Sequence, residues 1–220
     1  MSIFKYLFLI PAMIMTMNLS LAAGENDTIF HPSVRVGVDV SGFARQIIEP
    51  EVFPIEASVD FEWRENLFAV VEAGMLSVEV EKETHQYMAD GFFGRAGADF
   101  NLLQYITGPV NDAVLLSLRY GYSRTRQEAP FIIIPDDYWG DHQTAIEGDI
   151  YQAHWIEAGI GLKTEILRNF YIGWSLRGKI LLNDTSEPKM DPYYVGGFGG
   201  SGSNTAMTLH YSLYYRIPFR

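Results

Sequence analysis

Residues 205–219 read TAMTLHYSLYYRIPF. Met207, Leu209, Tyr211, Leu213, Tyr215, Ile217 and Phe219 fall at one parity, and Thr208, His210, Ser212, Tyr214 and Arg216 at the other. Successive side chains of a strand point to opposite faces, so this segment carries one apolar face and one polar face. A half-buried strand of a soluble protein and a strand crossing a lipid bilayer both satisfy that pattern. The choice between them rests on what recurs upstream.

The same alternation recurs near 33–43, 53–63, 67–80, 91–101, 113–124, 149–165 and 170–182, which makes eight strands with 205–219. Most run to ten residues or more, long for a globular strand and suited to a tilted membrane crossing. The connections alternate in length. Arg64-Glu65-Asn66 and Leu167-Arg168-Asn169 are tight turns and 102–112 is intermediate, whereas 44–52, 81–90, 125–148 and 183–204 are longer and more polar. Short turns on one side and long loops on the other are the habit of outer-membrane barrels, whose termini lie on the short-turn side. The expected architecture is therefore all-β: an eight-stranded antiparallel transmembrane barrel with its long loops outside the cell.

Sorting each strand by parity gives two sets. The apolar set includes Val34, Val36, Val38 and Val40, Ile55, Val59, Phe61 and Trp63, Val71 and Met75, Leu116, Leu118, Tyr120 and Tyr122, and Ile172, Trp174 and Ile180. The polar set includes Arg35, Asp39, Glu56, Ser58, Asp60, Glu62, Glu72, Arg95, Asp99, Arg119, Glu157, Arg177, Lys179 and Arg216. Its acids and bases are nearly equal in number although the whole chain carries a formal charge of −11. An enclosed lumen demands that balance, because a buried unpaired charge is costly, and a water-facing surface does not. Aromatic residues near the strand ends match interfacial girdles. The lumen of an eight-stranded barrel is just wide enough to be filled by side chains. The predicted site is thus a lumen charge network in which Arg35, Arg95, Arg119, Arg177 and Lys179 meet Asp39, Asp60, Glu72, Asp99 and Glu157, plugging the barrel rather than leaving a diffusion pore.

The N-terminus supplies the compartment. Lys5 followed by the apolar run 6–17 and by Ser20-Leu21-Ala22 reads as a signal peptide over residues 1–22, cleaved after Ala22, with the barrel occupying 23–220. The apolar run is too short to span a bilayer comfortably, and no other segment reaches 18 consecutive apolar residues. The chain contains no cysteine, which excludes a disulfide scaffold, a thiolate metal site and a lipid-modified N-terminal cysteine. Loss of Lys5 makes the acidic chain one unit more negative, so bulk charge does not favour nucleic acid or an anionic membrane surface.

Several motifs carry a family resemblance. They are Arg35-x-Gly37-x-Asp39, Arg119-Tyr120-Gly121-Tyr122-Ser123, Trp155-Ile156-Glu157-x-Gly159, Gly173-Trp174-Ser175-x-Arg177 and the Tyr-rich end with Ile217-Pro218. Through them the chain resembles a family of small outer-membrane proteins of unknown function found in Bacteroidetes-type bacteria. The resemblance implies an outer-membrane barrel and supplies no activity. Barrel precursors usually end in an aromatic residue read by the assembly machinery; here Phe219 is penultimate and Arg220 last.

Candidate chemistry is sparse. His210-x-Ser212 resembles the His-x-Ser pair of outer-membrane lipid A deacylases, in which a downstream carboxylate orients the histidine. No acid follows Ser212, and the pair points into the lumen rather than toward lipid, so nucleophilic catalysis lacks its third member. His154 points outward beside Gln152. Asp136, Asp137, Asp141, Glu147 and Asp149 cluster in the third long loop, but their spacing matches no EF-hand and a solvated acidic loop is the expectation. In the same loop the run Phe131-Ile132-Ile133-Ile134-Pro135 suggests burial over the barrel mouth or contact with a partner. Gly196-Gly197-x-Gly199-Gly200-x-Gly202 neither follows a strand nor opens a helix, which rules out a dinucleotide cradle and leaves a flexible loop tip. The expectation is a non-enzymatic outer-membrane barrel without catalytic residue, metal ligand or cofactor. Its expected partners are outer-membrane lipid, lipopolysaccharide and the barrel-assembly machinery, and not nucleic acid; recognition, if any, lies in the loops. An envelope enzyme acting on lipid A or phospholipid, and a soluble periplasmic barrel holding a small apolar ligand, are the alternatives.

Overall fold

A computed structural model describes residues 33–103, 112–134, 138, 140–183, 190–200 and 202–218. The expected signal peptide, Asp136, Asp137 and the terminal Phe219-Arg220 lie outside the described residues. The long strands are β1 (Val34–Asp39), β2 (Val52–Arg64), β3 (Leu67–Glu81), β4 (His85–Asn101), β5 (Ala113–Ile134), β6 (His142–Leu167), β7 (Phe170–Leu181) and β10 (Thr205–Ile217). Two short ones, β8 (Tyr194–Val195) and β9 (Gly199–Gly200), lie between β7 and β10. Among the described residues, the eight long strands close into an antiparallel ring in the order β1-β10-β7-β6-β5-β4-β3-β2. The first and last close the ring through the register Val34↔Ile217 to Asp39↔Ser212. At the short-turn end, Asn66 and Asn169 take the left-handed conformation with φ of 66° and 68°, which asparagine tolerates in tight hairpin turns.

The faces follow the parity pattern. Val38, Ile55, Val71, Met75, Leu116, Leu118, Ile180, Met207 and Leu213 all stand exposed on the outside, while Asp60, Glu72, Arg95, Asp99, Arg119, Glu157 and Arg177 are buried inside. Apolar outside and charged within is the inverse of a soluble barrel with an apolar ligand cavity. It matches a barrel solvated by hydrocarbon, in which ladder closure satisfies every strand's backbone groups without water. Trp63, Phe61 and the Phe170–Tyr215 pair, with ring centroids 4.9 Å apart, ring the short-turn end. Phe92, Tyr120, Tyr122 and His154 cluster toward the other end. His154 does face outward, and its Nδ1 lies 2.5 Å from the Tyr120 hydroxyl.

Four expectations about the connections are corrected. First, β1 stops at Asp39 rather than 43, and the segment expected as a loop holds a helix, α1 (Ser41–Ile48). The Asp39 carboxylate accepts the Ser41 backbone N–H at 2.6 Å, a local turn that ends the strand. The helix exposes Phe43 and Ile47, four residues apart on one face, and Phe43 meets Phe53 of the outer wall edge-on. Second, residues 85–90 belong to β4, and third, 125–134 and 142–148 belong to β5 and β6. A tilted crossing needs ~9–11 residues, so a hairpin of 22 and 26 residues stands well clear of the apolar band. The run Phe131–Ile134 is therefore the tip of β5, paired with both β4 and β6. Fourth, the glycine run is not a flexible tip. Its part up to Gly200 belongs to the small hairpin of β8 with β9, and Val195 and Phe198 are fully buried against Phe93, Tyr151 and Trp155.

The lumen is therefore layered. Phe68, Val70, Ala113 and Leu115 pack at the short-turn end. Charged residues fill the middle. Above them lie the cluster of Phe93, Trp155 and Phe198 and a second one of Val52, Leu76, Val78 and Tyr87.

Candidate functional site

The middle layer is a continuous set of ion pairs. At its lower edge Arg35 Nε donates to Asp60 Oδ1 at 2.7 Å, and the Arg35 guanidinium lies 4.3 Å from the Phe68 ring centroid. Lys163 also bonds Asp60 and approaches Asp99 at 3.9 Å. Arg119 donates to Asp99 at 2.9 Å and reaches Glu72 at 3.4 Å. Glu72 is the hub: Arg177 grips both its oxygens, at 2.7 and 2.9 Å, and Arg95 Nε sits 2.7 Å away. Arg95 is shared further with Glu56 and with Glu157 at 3.4 Å. Glu157 takes Arg177 at 3.5 Å, Lys179 at 3.6 Å and the Trp155 indole N–H at 2.6 Å. Arg95 and Lys179 also donate to the Gly197 carbonyl of the in-folded hairpin, at 3.4 and 2.6 Å. Gly197 has φ of +74°, a conformation suited to glycine.

Nine of the ten residues picked from parity lie in this set; these are Arg35, Asp60, Glu72, Arg95, Asp99, Arg119, Glu157, Arg177 and Lys179. The tenth, Asp39, stands apart from it and pairs with His210. The network has two members beyond the predicted ten. Glu56 shares the parity of Asp60, and Lys163 that of Glu157, so the same sorting reaches both.

At the upper edge of the network, β10, β1 and β2 are neighbours in the ring and bring His210 and Asp39 together with Glu56. His210 Nδ1 lies 2.6 Å from Asp39 Oδ2, and its Nε2 lies 3.1 Å from the Thr208 hydroxyl. Ser41 holds the other Asp39 oxygen through both its N–H and its hydroxyl. One ligand atom from each of Asp39, Glu56 and His210 falls within 4.8 Å of the others, so these three could hold a metal ion. They line a partly open cleft shared with Arg45, Lys179 and Tyr194. Arg45 of α1 donates to the Tyr194 hydroxyl across it. The expected gap in the His210 constellation is corrected here. The orienting carboxylate exists, but it comes from β1 rather than from downstream, and the hydroxyl within reach belongs to Thr208 rather than Ser212.

The family model described as Domain of unknown function (DUF6048) matches residues 1–220, and the chain belongs to that family. No curated protein sequence matches it. Among solved structures, the chain is similar to a major outer membrane protein from Thermus thermophilus, at 10% identity over 84% of this chain and 98% of that one, with a TM-score of 0.52. It also matches Ail, the attachment invasion locus protein of Yersinia pestis, at 10% identity over 84% and 97% of the two chains, TM-score 0.43. Neisserial surface protein A matches at 11% over 86% and 96%, TM-score 0.37. At such identities the likeness to the Thermus protein speaks to the fold, a closed outer-membrane-type barrel.

Proposed function

We propose that this chain is a non-enzymatic barrel of the outer membrane, closed along its axis by ion pairs and by the in-folded hairpin, with any recognition carried at its long-connection end. The observation that most supports it is the unbroken run of charged contacts from Arg35 to Lys179, drawn from β1 to β7. Such a run fills the narrow lumen of an eight-stranded barrel with side chains and fits a sealed, rigid support for loops. In this reading outer-membrane lipid lies against the exposed apolar band and lipopolysaccharide surrounds the outer rim. The expected signal at 1–22 delivers the chain to the periplasm, where the barrel-assembly machinery inserts it. The Bacteroidetes-type origin rests on the motif resemblance alone.

A second reading, an envelope enzyme acting on lipid A or phospholipid, draws on one observation: the Asp39–His210–Thr208 relay has base, orienter and hydroxyl within hydrogen-bond reach. The relay faces the lumen, away from the lipid such an enzyme would process. The test is deletion and re-expression in the native host. Heat-modifiable protein in the outer-membrane fraction with unchanged lipid A and phospholipid mass spectra is the expected result. Folded protein in the soluble periplasm would overturn the location, and loss of an acyl chain that depends on Thr208 and His210 would favour the enzyme.

A further inference from the structure

We infer that Asp39, Glu56 and His210 form a site for one divalent transition-metal ion, of the zinc class, at the upper edge of the lumen's charged layer. This goes beyond the sealed-barrel reading and does not depend on it. The three donors come from three adjacent strands, and their ligand atoms lie within 4.8 Å of one another in the lining of one partly open cleft.

What distinguishes this group from an ordinary buried salt bridge is how each donor is held. The ring nitrogen of His210 that does not face Asp39 lies 3.1 Å from the Thr208 hydroxyl. The Asp39 oxygen that does not face His210 is fixed by Ser41. One Glu56 oxygen is held by Arg95, leaving the second for a ligand. Metal-binding histidines almost always donate their other N–H to an outer partner, and ligating carboxylates are themselves hydrogen-bonded. All three donors thus carry the outer support that a metal site uses.

The electrostatics and geometry are compatible with occupancy. Two carboxylates neutralise a dication, and a histidine nitrogen favours zinc-like ions over magnesium or calcium. Ligands about 2.0–2.2 Å from a tetrahedral zinc sit roughly 3.3 Å apart. The Nδ1–Oδ2 pair, 2.6 Å apart without a metal between them, needs to open by less than an ångström. The cleft, about 40 Å³, is large enough to admit water, which would supply the fourth ligand. Arg95 is the nearest competitor for Glu56, but it also has Glu72 and Glu157 as partners, so sharing Glu56 does not strand its charge. Arg177 and Lys179 are engaged by Glu72 and Glu157.

The test uses the refolded full-length barrel in detergent, stripped with a chelator and titrated with zinc by equilibrium dialysis, with folding of each variant checked by heat-modifiable migration. The expected result is one saturable zinc per chain, undisturbed by excess magnesium. Asp39→Asn and His210→Ala abolish it, and Thr208→Val weakens it by roughly 10–100-fold. Should His210→Ala fail to fold, His210→Gln and Thr208→Val carry the comparison. Absence of zinc from the folded wild type overturns the inference. So does zinc retained equally by all variants, since the metal would then sit on surface residues such as His142.

Discussion

Replacing Glu72 with alanine should cost about 3–5 kcal/mol of folding free energy. The magnitude follows from what remains around the hole. Three arginines converge on this carboxylate. Arg119 keeps Asp99 at 2.9 Å, and Arg95 keeps Glu56 and Glu157. Arg177 loses a two-pronged partner and keeps only Glu157 at 3.5 Å among its carboxylates. The burden is therefore one poorly compensated guanidinium, buried to 3% exposure. At about 1.4 kcal/mol per tenfold, unfolding becomes favourable by about two to four more orders of magnitude. Urea titration of the protein in lipid vesicles, followed by heat-modifiable migration, reads this directly. Arg126→Ala is the control: its pair with Glu128 is 3.5 Å long and its side chain 68% exposed, so it should cost no more than about 1 kcal/mol. Adding Arg177→Ala to Glu72→Ala should recover roughly 0.5–3 kcal/mol of coupling. Equal, small effects of Glu72→Ala and Arg126→Ala would mean that the Glu72 cluster faces water, refuting the buried hub.

Leu116→Arg or Val38→Arg should destabilise the barrel by ~2–4 kcal/mol near the bilayer midplane, since both residues stand exposed in the apolar band; Ser58→Thr on the lumen face should not, and equal folding yields in vesicles for all three would invert the face assignment. Gly121→Ala should cost about 1–3 kcal/mol by overpacking, because an added Cβ would collide with the Trp155 ring; an unchanged urea midpoint would contradict that contact. Phe198→Ala should cost about 3–5 kcal/mol, since Phe198 is only 1% exposed and meets Trp155 edge-on at 6.1 Å; rapid cleavage of wild type within the 194–200 hairpin by an added protease would instead show the hairpin outside the lumen.

The parts of this fold that can be read from sequence are those where lipid and lumen enforce contrast. Leu116, Leu118 and Tyr120 against Ser117 and Arg119 leave no ambiguity about which side is which. Where the strands rise into water, the contrast disappears. Asp90, Arg124 and Glu128 point outward while Thr125 and Gln127 point inward, so both faces look polar and a strand imitates a loop. The small hairpin is hidden for a different reason. Its glycines at 196, 197, 199 and 200 resemble a flexible tip, and only the burial of Val195 and Phe198 by distant Phe93 and Trp155 gives them a fixed place. Helix α1 is too short for periodicity to declare itself.

The site follows the same division. Parity identifies which residues line the lumen, but partners depend on ring order and register. These place Arg35 beside Asp60 on the neighbouring strand and send Arg177 of β7 across the lumen to Glu72 of β3. Asp39 and His210 are separated by 171 residues and meet only because the last strand closes against the first. A carboxylate sought downstream of His210 is not found there because the orienter lies upstream.

The proposal of a sealed lumen is tested most directly by planar-bilayer recording of the purified, folded protein. The ion-pair layer and the in-folded hairpin predict essentially no current above the bare membrane. A stable, ohmic channel of large conductance in the wild type would contradict them.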